Sequence, residues 1–261
     1  MLRTRGLTKE FGGVTAVDEV DFEIDHGELC ALIGPNGAGK TTFFNCLTGS
    51  LTPTRGTVEI GGSGSWRDIT DAGPDETARA GVHRSYQITN IFSASTVLEN
   101  VRIAAQAHGR GSLQPWRNVS AFPEHYEEAT EILERVGLAG SAERVASTLS
   151  HGEKRQLEMA IALAGDPDLL LLDEPAAGVS SESVDDVVDL IEEVSADHAI
   201  LLVEHNMDLV MDVAERIVVL HQGSVIADDD PAAVRNDERV REAYLGGYGA
   251  DDPAGGEEVG A

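Results

Sequence analysis

Residues Gly34-Pro35-Asn36-Gly37-Ala38-Gly39-Lys40-Thr41 follow directly on the apolar run Leu29-Cys30-Ala31-Leu32-Ile33. That run reads as a strand buried on both faces, and residues 42–47, from Thr42 on, read as the helix that follows it. A glycine-rich turn between a buried strand and a helix lets successive backbone N–H groups converge on one point, to which the helix adds its positive end. Such a cradle suits phosphate oxygens. Lys40 is placed to reach the β- and γ-phosphates of a nucleotide, and the Thr41 hydroxyl to complete the shell of a Mg²⁺ ion. A dinucleotide-binding turn is excluded, because Gly37-x-Gly39 is followed by Thr42 where a third glycine would be required.

The chain has 261 residues, enough for one large domain or two small ones with ample core. Its net charge is −27, from 46 acidic against 19 basic residues. A surface of that sign repels nucleic acid and anionic lipid headgroups, so no nucleic-acid partner is expected. Lysine occurs only at Lys9, Lys40 and Lys154, and arginine supplies the remaining positive charge. Self-repulsion on this scale opposes compaction in dilute buffer, yet at molar salt the screening length shrinks to about 3 Å. A salt-loving prokaryotic source is therefore expected. Cys30 and Cys46 are too few for a disulfide framework and read as inert apolar filler. No run approaches the length of a membrane span, and the first residues lack the apolar centre of a signal peptide, so a soluble, cytoplasmic protein is expected.

Strands are expected at residues 2–7, 17–24, 29–33 and 57–60, then a mostly helical stretch over 97–164 interrupted by a loop at 109–123. Trp116 in that loop reads as a packing anchor. Within the helical stretch Ile132, Leu133 and Val136 share one face. Strands return at 169–172, 199–203 and 217–220, with a helix at 183–194 between the first two. Solid Leu/Ile/Val runs alternating with helices predict a parallel sheet covered on both faces. Periodicity is lost after Val240, and the Gly/Asp/Glu-rich tail 246–261 is expected to be disordered.

Leu169-Leu170-Leu171-Leu172 ends in Asp173-Glu174, which sets two carboxylates at the carboxyl edge of a central strand. Asp173 is suited to hold Mg²⁺ through water, and Glu174 to act as general base toward an attacking water. Leu149-Ser150-His151-Gly152-Glu153 opens a helix whose Leu157, Ala160, Ile161 and Ala164 keep helical spacing. Ser150-x-x-Glu153 is by itself a capping box, so a capped helix start and an anion site are both open readings.

Phosphate loop, Gln87, Leu-Ser-His-Gly-Glu, Leu-Leu-Leu-Leu-Asp-Glu-Pro and a strand leading to His205 occur in the order that resembles the ATP-binding cassette (ABC) ATPases. The match covers nearly the whole chain. It is most similar to the nucleotide-binding subunits of branched-chain amino acid importers, through Phe11-Gly12-Gly13-Val14-Thr15-Ala16-Val17, Ala80-Gly81-Val82-His83-Arg84-Ser85-Tyr86-Gln87, Thr96 to Val101, Asp173 to Gly178 and Ala243-Tyr244-Leu245-Gly246. The resemblance implies an α/β fold: a P-loop NTPase (RecA-like) core with a mostly parallel sheet, an N-terminal antiparallel β subdomain and an inserted helical subdomain. One domain over 1–245 is expected, with the core and antiparallel part at about 1–87 and 155–245 and the helical part at about 88–154.

The resemblance also implies roles. Phe11 and Val17 would contact the nucleotide, Phe11 by stacking on adenine. Gln87 would sense Mg²⁺ and the attacking water, at the start of a segment, 87–92, that touches membrane permease subunits. His205 would contact the γ-phosphate. Leu149, Ser150, His151, Gly152 and Glu153 would close over ATP held by a second cassette, and Gly178-Val179-Ser180 would carry cross-talk between the two sites. An extracytoplasmic binding protein is implied indirectly, and the chain would sit at the cytoplasmic face of the membrane. Three positions depart from the family pattern: His151 in place of glycine, Glu153 in place of glutamine, and Ser180 in place of Asp or Asn. A carboxylate at Glu153 would repel a γ-phosphate unless folded back into the capping box. Importers of urea, short amides or other amino acids, a soluble non-transport ABC ATPase, and a non-hydrolysing scaffold remain as alternative readings.

Overall fold

The computed structural model describes residues 1–62, 64–85, 91–108, 123–178 and 184–245. Gln87 and the rest of 86–90, Trp116, Val179, Ser180 and the tail 246–261 lie outside the described residues.

The phosphate-loop strand, β3 (Leu29–Ile33), lies inside a six-stranded sheet of order β10-β9-β3-β8-β7-β6. Its partners are β6 (Val82–Ser85), β7 (Leu169–Asp173), β8 (Ala199–Val203), β9 (Arg216–His221) and β10 (Ser224–Asp229). All adjacent pairs are parallel except β9 with β10. A second, antiparallel sheet of order β2-β1-β4-β5 is built from β1 (Leu2–Phe11), β2 (Val14–Ile24), β4 (Arg55–Gly62) and β5 (Ser65–Asp68).

Alternation along the central strands explains why their runs are uniformly apolar. Leu29, Ala31 and Ile33 of β3, with Leu170, Leu172, Ile200 and Leu202, join one core; Cys30, Leu32, Leu169, Leu171 and Leu201 join the other. The first core is capped by α3 (Val97–His108), α4 (Pro123–Arg135), α5 (His151–Leu163), α6 (Val184–Ser195) and α7 (Met207–Val213). The second is filled by α1 (Lys40–Leu47) and the antiparallel sheet, where Phe22 meets Phe43 edge to face at 5.6 Å. The short α2 (Pro74–Arg79) leads into β6, and α8 (Pro231–Asn236) and α9 (Glu238–Leu245) end the described chain.

Several boundaries differ from the sequence expectation. β1 and β2 are longer because Gly12-Gly13 turns them into one hairpin in which Phe11 pairs with Val14, and Gly12 takes a φ of 59°. Helical order persists past Val240 because Val240 and Ala243 are buried against the body of the domain.

Cys30 and Cys46 are both buried and unpaired by disulfide. Burial pushes the Cys30 thiol up to about 12 and the Cys46 thiol up to about 11. Neither is expected to react with a thiol-specific disulfide reagent in the folded protein at pH 8, and both should react at once in denaturant. Rapid labelling of either in native buffer would contradict the burial.

Candidate nucleotide-hydrolysis site

At the carboxyl end of β3 the chain turns through Gly34, Gly37 and Gly39, all at positive φ, with Gly39 at 106°. A side chain on Gly34 would run into the Leu220 carbonyl and one on Gly39 into the Ala16 carbonyl, so two strands crowd the loop from outside. Pro35 is half-buried and Ala38 buried, while Asn36, Gly37 and Thr41 face solvent. Thr41 and Thr42 stand in the first turn of α1, where the backbone N–H groups have no helical partner. Lys40 is buried, and its Nζ donates to the carbonyls of Gly34 at 2.6 Å and Pro35 at 3.2 Å. Burial lowers its pKa, and the carboxylates of Glu174 and Asp173 oppose that shift. The ammonium therefore sits within electrostatic reach of both acids.

Those acids end β7, beside β8 in the sheet. Glu174 takes a φ of 51°, and its N–H donates to the Val203 carbonyl at 2.8 Å, which turns the residue off the strand. Its Oε1 lies 3.1 Å from Nε2 of His205, which follows β8. The general-base candidate and the switch-histidine candidate, 31 positions apart in sequence, are thus brought into direct contact. Asp173 is buried, and its Oδ2 meets Nη2 of Arg84 at 2.5 Å. Arg84 also donates to Asn45 Oδ1 at 2.6 Å and lies over the Phe44 ring at 5.6 Å.

Arg84, Asn45 and the buried Glu204 were assigned no role from sequence, although each touches the site. Glu204 had one visible signal: like Asp173 and Glu174, it is an acid closing a solid apolar strand.

The capping box at the start of α5 is formed. Ser150 Oγ accepts from the Glu153 N–H at 3.2 Å, and Glu153 Oε2 accepts from the Ser150 N–H at 2.8 Å. That backbone bond, with the Arg144 guanidinium paired to the same carboxylate, holds the Glu153 pKa below its usual range. Glu153 is therefore folded back and neutralised. Leu149 is buried as an anchor, whereas Ser150, His151 and Gly152 are exposed. Gly178 is also exposed, at a φ of 75°.

Two expected nucleotide contacts fare differently. Phe11 is 47% exposed at the end of β1, with the Lys9 ammonium 5.3 Å from its ring centre, and is available for stacking. Val17 is 0% exposed and belongs to the second core, so its side chain offers no surface to a ligand. Pairing of β2 within the antiparallel sheet turns Val17 inward.

Comparison with known proteins places the chain in a family. The family described as "ABC transporter" matches residues 17–177, and that described as "Branched-chain amino acid ATP-binding cassette transporter" matches residues 224–250. The high-affinity branched-chain amino acid transport ATP-binding protein LivG of Salmonella typhimurium is 40% identical over 94% of this chain and 98% of its own length. The crystal structure of the ADP conformation of MJ1267, an ATP-binding cassette of an ABC transporter, superposes with a TM-score of 0.82 at 31% identity, covering 94% of this chain and 98% of that one. A dimeric post-hydrolysis structure of the cassette MJ0796 bound to ADP and Pi gives a TM-score of 0.74 at 25% identity, covering 88% and 99%. With its phosphate loop, paired carboxylates and histidine in place, the chain belongs to the ABC transporter family as an ATP-hydrolysing cassette.

Proposed function

We propose that this chain is the ATPase subunit of an importer for branched-chain amino acids, working as one half of a nucleotide sandwich beneath membrane permease subunits. The observation that carries hydrolysis is the contact of Glu174 with His205 beside the phosphate loop. The amino acid class rests on the LivG likeness over nearly the full length and on the matched segment 224–250.

ATP would lie with its phosphates on the N–H groups from Asn36 to Thr42 and its adenine against Phe11. Lys40 would exchange the loop carbonyls for phosphate oxygens, a charge-assisted bond of greater strength. The oxygen donors suit Mg²⁺: a threonine hydroxyl and one carboxylate, with phosphates and water completing the shell. With Asp173 Oδ2 committed to Arg84, the carboxylate would meet the metal through its other oxygen and a water. Glu174 would take the proton of the attacking water, and His205 would hold Glu174 and meet the γ-phosphate. Gln87 would complete the sensing of metal and water. The exposed Ser150, His151 and Gly152, with Gly178, Val179 and Ser180, would face the second cassette, as the MJ0796 dimer suggests for its own family member.

No helix among the described residues is long and apolar enough to cross a membrane. Docking on separate membrane proteins is supported by a groove of about 370 Å³ lined by Ile91, Phe92, Ile103, Ala104, Ala107 and Ile161. Phe92 there is 56% exposed. The test is reconstitution in liposomes with two permeases and an extracytoplasmic binding protein: leucine-loaded binding protein should stimulate hydrolysis and drive leucine uptake. Stimulation by urea or short amides in place of leucine would overturn the substrate assignment.

The net charge of −27 supports a salt-loving origin. The melting temperature is expected to rise by more than about 10 °C between about 0.1 M and about 2 M KCl, as screening removes carboxylate repulsion. A flat melting curve against salt would rule that origin out.

A further inference from the structure

Two turns carry the hydrolytic pair, and a single buried side chain joins them. Glu204 closes β8 and is 5% exposed. Its Oε1 accepts the Ala176 N–H at 2.8 Å, in the turn that leaves Glu174. Its Oε2 accepts the His205 N–H at 2.9 Å and the Asn206 N–H at 3.3 Å. Asn206 in turn caps α7, its Oδ1 accepting from Asp208 at 3.1 Å and Leu209 at 3.2 Å. On the other side the Ala177 N–H donates to the Glu174 carbonyl at 3.0 Å, so the turn holding Oε1 is closed on Glu174 itself.

We propose that Glu204 is the positioning residue of the hydrolytic pair, fixing the Glu174 turn and the His205 turn to each other. The inference rests on Glu174 as general base and His205 as switch histidine. A carboxylate is the fitting group because three N–H donors converge on it and both its oxygens only accept. Glutamine has the same shape but would turn its NH₂ toward donors at one of the two clamps. Alanine removes both clamps, and aspartate is one methylene short of spanning them. Because bonds to a buried charged acceptor are strong and are lost outright on substitution, the geometry of Glu174 with His205 should loosen sharply. Nucleotide binding on the phosphate loop should not change, since no hydrogen bond of Glu204 goes to that loop.

The full-length chain carrying Glu204→Gln, His205→Ala or both would be compared with the unaltered protein. In Glu204→Gln, MgATP affinity by calorimetry should stay within about 2-fold of the unaltered protein, while single-turnover hydrolysis falls about 10- to 100-fold. The double variant should be no slower than His205→Ala alone, since the two residues act as one unit. Amide hydrogen exchange at Ala176, His205 and Asn206 should quicken by about 10-fold or more in Glu204→Gln. Full-rate hydrolysis, additive losses in the double variant, or a matching fall in nucleotide affinity would overturn the proposal. Glu204→Gln is close to isosteric, so the test survives if Glu204→Ala fails to fold. Should Glu174→Gln itself prove active, the base assignment fails, while amide exchange still reports whether the clamp exists.

Discussion

Glu174→Gln is expected to lower the rate of ATP hydrolysis by about 10²- to 10⁴-fold while leaving MgATP affinity nearly unchanged, the signature of a lost general base. The substitution keeps the shape of the side chain and an oxygen to face Nε2 of His205, which now stands 3.1 Å from Glu174 Oε1. It also keeps the backbone that places the group, with its φ of 51° and the Glu174 N–H bond to the Val203 carbonyl. Only the ability to take a proton disappears. Single-turnover hydrolysis with calorimetric binding on the same preparation separates the two effects. Hydrolysis at the normal rate would show that Glu174 is not the base, and a parallel loss of binding would show that it holds nucleotide instead. A further consequence concerns closure: a chain that binds but does not cleave should accumulate as a nucleotide-bound dimer, readable by its mass in solution.

What could be read in the sequence was what is local. The phosphate loop, the acids ending β7 and the capping box of Ser150 and Glu153 each lie within a few consecutive residues, where spacing dictates geometry. The parallel sheet was legible because strands covered on both faces need apolar residues at every position, as Leu169–Asp173 and Ala199–Val203 show. Pairings between distant segments left no such trace. Arg84 reaches Asp173 across 89 positions and Asn45 across 39; the pairing of β6 with β7 brings it to Asp173, and α1 carries Asn45 to it. Glu204 drew no reading beside His205, yet it is buried and accepts three N–H groups from two turns that the sequence sets 28 positions apart. Short elements such as β5 and α2 were missed because four to six residues are too few for a period to repeat. The burial of Val17 left no local trace for a related reason, since only pairing across the antiparallel sheet decides which face of β2 points inward.

Arg84→Met is expected to destabilise the fold by about 3–5 kcal/mol, because it strips a buried carboxylate of its ion-pair partner. Arg84 and Asp173 side chains are only 9% and 8% exposed, and their contact is 2.5 Å. Methionine keeps an unbranched apolar stem of similar length, which limits the packing loss even though the guanidinium over the Phe44 ring is gone. Asp173 would be left to the more distant Lys40 ammonium, which already feels its charge. Adding Asp173→Asn should recover more than half of the loss, since an uncharged amide replaces the stranded carboxylate. Denaturant titration of the single and double variants measures both steps. The cost should persist at molar KCl, because buried pairs are screened far less than exposed ones. A loss below about 1 kcal/mol would place Asp173 in contact with water and remove the case that Arg84 holds it. The pair also orients the site: Arg84 holds Oδ2 of Asp173, so this carboxylate is fixed in place by the protein itself.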